Sequence, residues 1–324
     1  MSRSLTFERI MRRLRRIFIP GAVILTYHRV VELGSDTCAL CVRPENFAKH
    51  MDYLKETCNV VRLNDLARAL RNSGIPRRTV VITFDDGYID VLRNAFPILR
   101  ERSLPATVFV ASAHIGATRE FWWDELERII ICPENLPASL NLNLKGQKHF
   151  WDVMSSGDRK RVFWNVHRML KPLPNDERFQ LLDELAEWAG VGRTVRSDYR
   201  TMTAAELAEL TSDGLIDIGA HTVKHATLSK LSPEKQRLEI VAGRDRLVEC
   251  LNRPVEVFAY PYGEEEDFTE DTVEIVRAAG FSVACTMIAG SVEAGDDLCR
   301  LRRRAVYDWD LRDFKHKLGE FLSA

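Results

Sequence analysis

No run in this chain approaches the roughly 20 consecutive apolar residues of a membrane-spanning helix, and none is read from it. Neither sign of charge dominates: 46 Lys and Arg stand against 47 Asp and Glu, a formal net charge of −1. There is thus no overall attraction for a nucleic acid polymer or an anionic substrate. Internal repeats and low-complexity segments are lacking. Cysteine forms no framework. The seven residues, at 38, 41, 58, 132, 250, 285 and 299, are scattered and odd in number, which argues for reduced thiols. Cys38 and Cys41 make a Cys-x-x-Cys without a second pair, so metal or redox use is not read from them. No export signal is expected either. Arg3, Arg9, Arg12, Arg13, Arg15 and Arg16 are followed only by Ile17-Phe18-Ile19, cut off at Pro20-Gly21 before an apolar h-region can form. A cytoplasmic location is expected.

The first 20 residues read instead as a basic amphipathic helix over 4–18, with Leu5, Ile10, Leu14 and Phe18 as its apolar positions. Two roles stay open: a cap on the following domain, or peripheral contact with the anionic inner face of a membrane.

Beyond it, strand-like and helix-like runs alternate. The 324 residues suffice for one large α/β barrel or two ordinary domains. Apolar runs mark strands at 22–27, 60–63, 79–84, 106–110, 216–220, 255–259, 281–285 and 303–307. Between them lie helical patterns near 44–58, 64–73, 89–102 (interrupted at Pro97), 232–251 and 269–279, and a last helix from about Asp310. Thr203-Ala-Ala-Glu206 spells a capping box. About seven βα units with continuously apolar strands imply a closed parallel barrel. The rhythm breaks over 119–199, where helical spacings recur without a convincing strand. The expected organisation is a barrel from 21–118 and 200–324 with a helical insertion at 119–199.

Asp85-Asp86-Gly87 follows the strand at 79–84. Adjacent carboxylates at a strand end repel unless a cation or shared proton relieves them. His221-Thr222-Val223-Lys224-His225 places two imidazoles four residues apart after another strand. A carboxylate and two imidazoles suit an open zinc-type site, with the second carboxylate free as a base. Taken singly, the acids are equally an N-cap turn and the histidines equally satisfied loop residues. Their common position at the C-terminal ends of barrel strands favours function.

Thr83-Phe84-Asp85-Asp86-Gly87 resembles the first motif of the polysaccharide deacetylases (the NodB-homology domain, carbohydrate esterase family 4). His221-Thr222-x-x-His225 resembles their second motif, about 135 residues on, and Phe258-Ala259-Tyr260-Pro261-Tyr262-Gly263 the third. Softer likenesses are Tyr27-His28-Arg29-Val30 and Phe121-Trp122-Trp123-Asp124. The resemblance implies a distorted (β/α)7 barrel, a divalent metal, and hydrolysis of N-acyl or O-acyl groups on carbohydrate. Carried over by position, Asp86, His221 and His225 bind the metal, zinc being the ion that this donor set suits best. Asp85 is then the base that activates water, and the Tyr262 amide stabilises the oxyanion, with Tyr260 beside it.

Two departures stand out. The arginine that pairs with the base in many members is replaced by Ala259; Arg300, Arg302, Arg303 and Arg304 form a cluster that could supply one. The late Leu-x-His that provides the acid is missing, so His28 is the candidate acid or substrate contact. His316 reads as a surface residue, and His50, His149 and His167 as surface or packing residues. His114 follows a strand without further distinction, Trp122 reads as core, and Trp123 is open between core and a sugar-stacking face. The expected activity is removal of N-acetyl or N-formyl groups from an amino sugar or a nucleotide- or lipid-linked glycan precursor. The alternatives are a carbohydrate-binding protein that keeps the metal, and an O-acetyl esterase.

Overall fold

Strands that are apolar on both faces leave neither face for water, and here seven of them solve that by closing on themselves. The computed structural model describes residues 21–72 and 74–323. Its ring strands are β1 (Ala22–Tyr27), β2 (Thr79–Phe84), β3 (Ala106–Val110), β4 (Ile216–Ala220), β5 (Val257–Ala259), β6 (Val283–Ala289) and β7 (Leu301–Ala305). All are parallel, in the order β1–β7–β6–β5–β4–β3–β2, and β1 meets β2 along its whole length to shut the ring. This is the expected α/β barrel. Its distortion is local. The register slips between Cys285 and Ala289 where β6 meets β7, and a two-residue strand, Asn59–Val60, shares one edge of β2 with β3. That strand is shorter than the apolar run 60–63 suggests, because Leu63 is already the first residue of a helix.

Alternation sends successive residues to two cores. Val23, Leu25 and Tyr27 join Val80, Ile82 and Phe84 in the larger core. Ala22, Ile24 and Val81 join Phe109, Val257 and Val283 in the second, which Leu63, Leu66 and Leu70 complete.

The helices follow the sequence cues. Helix α1 (Pro44–Thr57) has Pro44 in its first turn and buries Phe47, Met51 and Leu54; α2 (Leu63–Arg71) follows. Around Pro97 the chain makes a π-helical segment, Val91–Ala95, and then α3 (Phe96–Arg102). Pro97 thereby falls in a first turn, where its missing N–H is of no consequence. Contacts divide the chain into two compact units. One contains the strands up to Glu32, Leu40–Ile115, and everything from Met202; the other is Leu33–Ala39 with Gly116–Thr201.

The second unit holds α4 (Trp122–Ile130), α5 (Ser156–Leu170) and α6 (Asn175–Ala189). It also holds an antiparallel hairpin, Ser139–Leu144 with Gln147–Asp152, where the sequence suggested only helices. Its first strand alternates Leu140, Leu142 and Leu144 with Asn141 and Asn143, and Lys145-Gly146 makes the two-residue turn, a period-two signal that the sequence did carry. Trp122 and Trp123 are both buried, and Trp123 stacks on Phe121 at 4.5 Å, so this tryptophan pair is core and not a sugar-stacking face.

Back in the barrel unit, α7 (Ala204–Leu210) starts with the Thr203–Glu206 capping box in both directions. Helices α8 (Pro233–Leu251), α9 (Glu270–Ala278) and α10 (Leu311–Ser323) complete the layer. The basic helix expected over 4–18 lies outside the described residues. Among the described residues no helix is long and apolar enough to cross a membrane.

Candidate metal centre and catalytic site

The acidic turn follows directly from the β1–β2 ladder. The Asp85 amide continues that ladder by donating to the Tyr27 carbonyl at 3.1 Å. Asp86 then takes φ +74°, a left-handed conformation costly for a residue with a Cβ. The turn separates the two acids. Both are buried, but each faces a different partner.

Asp86 faces the imidazoles. Its Oδ1 lies 3.8 Å from His221 Nε2 and 3.3 Å from His225 Nε2. One donor atom from each of Asp86, His221 and His225 falls within 4.8 Å of the other two. His221 leaves β4 with its amide on the Val110 carbonyl, 3.1 Å away. Its Nδ1 is 2.7 Å from the Ala259 carbonyl. A carbonyl only accepts, so Nδ1 carries the proton and Nε2 of the neutral ring presents a lone pair. Burial lowers the His221 pKa to about 4, against the pull of Asp85, so the ring is neutral at pH 7. A bare imidazole nitrogen and a carboxylate oxygen then point at one another, acceptor to acceptor. A cation held between them resolves that conflict, so the donor set fits the divalent metal expected from the sequence.

The loop that carries the imidazoles is tightly held. Thr222 and His225 have φ of +66° and +54°, and the His225 amide donates to Thr222 Oγ1 at 3.0 Å. Tyr262, at φ +59°, sets its ring edge-on to His225, with centroids 4.6 Å apart.

Asp85 faces a guanidinium. Arg303 of β7 donates from Nη1 and Nη2 to the two Asp85 oxygens at 2.8 and 2.7 Å, and from Nε to the Thr286 carbonyl at 2.8 Å. Burial alone would raise the Asp85 pKa. The Arg303 charge, then His221, the Arg303 hydrogen bonds and His28 outweigh it and hold the carboxyl at about 2. Asp85 is therefore ionised, with its carboxylate oriented by the guanidinium. The clustered arginines now separate. Arg303 points inward; Arg300 pairs with Glu270, Arg302 is exposed, and Arg304 lies over the Phe321 ring at 4.8 Å.

His28 directly follows β1, half-buried, and its charge acts on both Asp85 and His221. Tyr260 is elsewhere. Its side chain is fully buried and stacked on Phe268 at 4.5 Å; its hydroxyl donates to the Cys299 carbonyl at 2.8 Å and its amide to the Cys285 carbonyl at 3.0 Å. Both polar groups are spent on main-chain carbonyls, and the ring lies in the larger core with Phe258 and Phe268, which corrects the expected substrate or oxyanion role of Tyr260. His316 is exposed beside Glu320. His50 is core, stacked on Phe314 with centroids 3.9 Å apart.

Sequence reading missed two supports, the first fully buried and the second half-buried. Arg29 donates to Asp90 Oδ2 at 3.0 Å while the Val30 amide donates to Oδ1 at 2.7 Å, tying the segment after β1 to the one after the acidic turn. Glu239 of α8 accepts from the amides of Val223 and Lys224. A buried Asp five residues after Asp85 on an apolar background was a readable signal. Glu239 carried none, since it meets its partners only through the fold.

A family model for polysaccharide deacetylase matches residues 72–131 and 152–284. The poly-β-1,6-N-acetyl-D-glucosamine N-deacetylase of Staphylococcus epidermidis is 30% identical over 181 residues, 49% of this chain and 63% of that protein. The chain thus aligns with less than two thirds of that relative. Among solved structures, the Streptococcus pyogenes deacetylase PplD in complex with acetate matches with a TM-score of 0.61 at 19% identity, covering 93% of this chain and 99% of that one. IcaB from Ammonifex degensii gives 0.60 at 21%, covering 94% and 98%. At these identities the structural likeness is one of fold.

Proposed function

Because the chain belongs to the polysaccharide deacetylase family, we propose that it is a metal-dependent hydrolase that removes N-acetyl groups from an N-acetylglucosamine glycan. Asp86, His221 and His225 hold a divalent cation, zinc by the chemistry of the donor set. When bound there, the cation supplies Lewis acidity. The single observation that carries the reading is the meeting of those three side chains beside an Asp85 clamped by Arg303.

Each remaining role belongs to a side chain or amide of this protein. Asp85, ionised and aimed by the guanidinium, takes the proton of the attacking water. The Tyr262 amide donates to the oxygen that gains charge as the amide carbon becomes tetrahedral. His28, near enough to act on Asp85 electrostatically, returns a proton to the departing amine. Removal of an N-formyl group would use the same groups.

The named relative favours a polymer over the nucleotide- or lipid-linked precursor expected from the sequence. The non-enzymatic alternative rested in part on Ala259 standing where an arginine is usual, and Arg303 supplies that guanidinium. The test is amine release from N-acetylglucosamine oligomers, with O-acetylated sugars in parallel. Asp85→Asn is expected to retain bound metal and lose about 10²-fold or more in rate, as for loss of a general base. Wild-type protein as inert as this variant across the panel would refute hydrolysis in favour of binding. Release from esters alone would move the substrate to O-acetyl groups.

A further inference from the structure

The loop between the two imidazoles holds a shape that its own residues resist. Thr222 and His225 occupy the left-handed region, which costs a non-glycine residue on the order of 1–3 kcal/mol. Such a loop persists only when partners on several sides over-determine it. The segment after β3 supplies two: the Ser112 amide donates to the Thr222 carbonyl at 3.0 Å, and the Ala113 amide to the Val223 carbonyl at 2.8 Å. Thr222 Oγ1 supplies a third, on the His225 amide.

The fourth comes from α8. A single oxygen of Glu239, Oε2, accepts from the amides of Val223 at 3.0 Å and Lys224 at 2.8 Å. These two residues lie directly between Thr222 and His225. Hydrogen bonds to an ionised acceptor are about twice as strong as neutral ones, so one carboxylate can define both peptide planes. Helix α8 comes this close because of Gly243, one turn further on, where an added Cβ would stand 2.7 Å from the Thr222 carbonyl carbon.

We propose that Glu239 is a positioning residue for the cation site: through the 223–224 backbone it sets where the His221 and His225 rings stand relative to Asp86. The inference rests on the reading that those three residues hold a metal. It assigns to Glu239 no contact with substrate. Its effect is on metal affinity and coordination geometry, upstream of any reaction.

Cobalt(II) alone, titrated into chelator-stripped full-length protein, reports both quantities, since its visible absorption depends on the geometry of the ligands. Glu239→Ala is expected to weaken cobalt binding by about 10- to 100-fold, the range for losing outer-shell support, and to alter the absorption bands. Glu239→Gln keeps an oxygen able to accept both N–H groups and is expected to bind within about threefold of wild type. If the alanine variant does not fold, Glu239→Asp withdraws the carboxylate by about one C–C bond, about 1.5 Å, with its charge kept. An affinity between wild type and a tenfold loss is expected for it. A folded Glu239→Ala or Glu239→Asp with wild-type affinity and spectrum overturns the inference. So does a lower melting temperature of the apo protein with an unchanged cobalt dissociation constant, which would make Glu239 a purely structural residue. A glutamine variant as weak as the alanine one overturns the acceptor role. Wild-type protein that binds no cobalt overturns the metal reading itself, and is thereby distinguishable from failure of this inference alone.

Discussion

Arg303 grips Asp85 through two parallel hydrogen bonds of 2.8 and 2.7 Å, with both side chains shielded from solvent. The motif resemblance leads one to expect the guanidinium at the position that is Ala259 here. In this chain it comes from β7, two strands round the ring. The inward face of a closed barrel makes the two origins equivalent, because side chains from different strands converge there.

A buried ion pair broken on one side leaves an uncompensated charge. Arg303→Ala is therefore expected to destabilise the protein by about 3–5 kcal/mol in urea unfolding. Arg303→Lys keeps the charge but loses the fork, and a smaller loss is expected. Removing both charges, with Arg303→Met and Asp85→Asn together, is expected to recover most of the stability without the activity. An alanine variant as stable as wild type would show that the pair carries no such role.

Metal removal has a direct thermodynamic reading. A cation that binds only the folded state at 100 times its dissociation constant adds about 2.7 kcal/mol. Zinc is expected to raise the melting temperature of chelator-treated protein in a concentration-dependent way. Asp86→Ala is expected to abolish that rise. An identical zinc response in the variant would move the site elsewhere.

His50 links stability to pH. Its Nε2 donates to the Trp309 carbonyl at 2.9 Å, its Nδ1 lies 3.3 Å from the Tyr27 hydroxyl, and burial lowers its pKa to about 4. The unfolded chain, with an imidazole pKa near 6.5, therefore takes up this proton first as the solution is acidified. Between about pH 6.5 and 4 the unfolded state binds more protons. The contribution of His50 is thus intact above about 6.5 and is lost as pH falls towards 4, by about 3 kcal/mol at most. His50→Gln is expected to lose stability at pH 7 and to show a shallower decline on acidification. Parallel urea midpoints at pH 7 and 4.5 check this, and equal slopes for the two proteins would contradict it.

Gly219 marks the tightest approach inside β4. A Cβ there would fall 2.4 Å from Phe109 Cδ1 and 2.9 Å from Val257 Cγ2. Gly219→Ala must displace core side chains two residues before His221, and a cost of about 1–3 kcal/mol is expected. Calorimetry checks the size. An unchanged melting temperature would mean that Phe109 swings aside freely.

Much of this was readable along the chain because the governing contacts are local or periodic. Strands buried on both faces must be continuously apolar, so β1, β2, β3 and β4 announce themselves. The two acids and the two imidazoles are each one short segment at a strand end. The hairpin at 139–152 was also legible, since Leu140, Leu142 and Leu144 alternate with asparagines before Lys145-Gly146, but it is one short strand pair set among longer helical spacings. Tyr260 misled because a motif neighbour of Tyr262 shares its chemistry; the two tyrosines flanking Pro261 diverge, one into the core and one beside His225.

Among Arg300, Arg302, Arg303 and Arg304, composition offers no choice. Pairing of Leu25 with Arg304 and of Ala289 with Arg303 sets the phase of β7, and the two-residue alternation then turns Leu301 and Arg303 inward. The order of residues alone determined that a barrel forms and that acids and imidazoles cap its strands, since both follow from which side chains must leave water. Which arginine meets Asp85, and that Glu239 reaches the loop between the imidazoles, only the tertiary structure decided. Those partners lie 218 and about 15 residues apart, and register and helix packing, not proximity in the chain, bring them together.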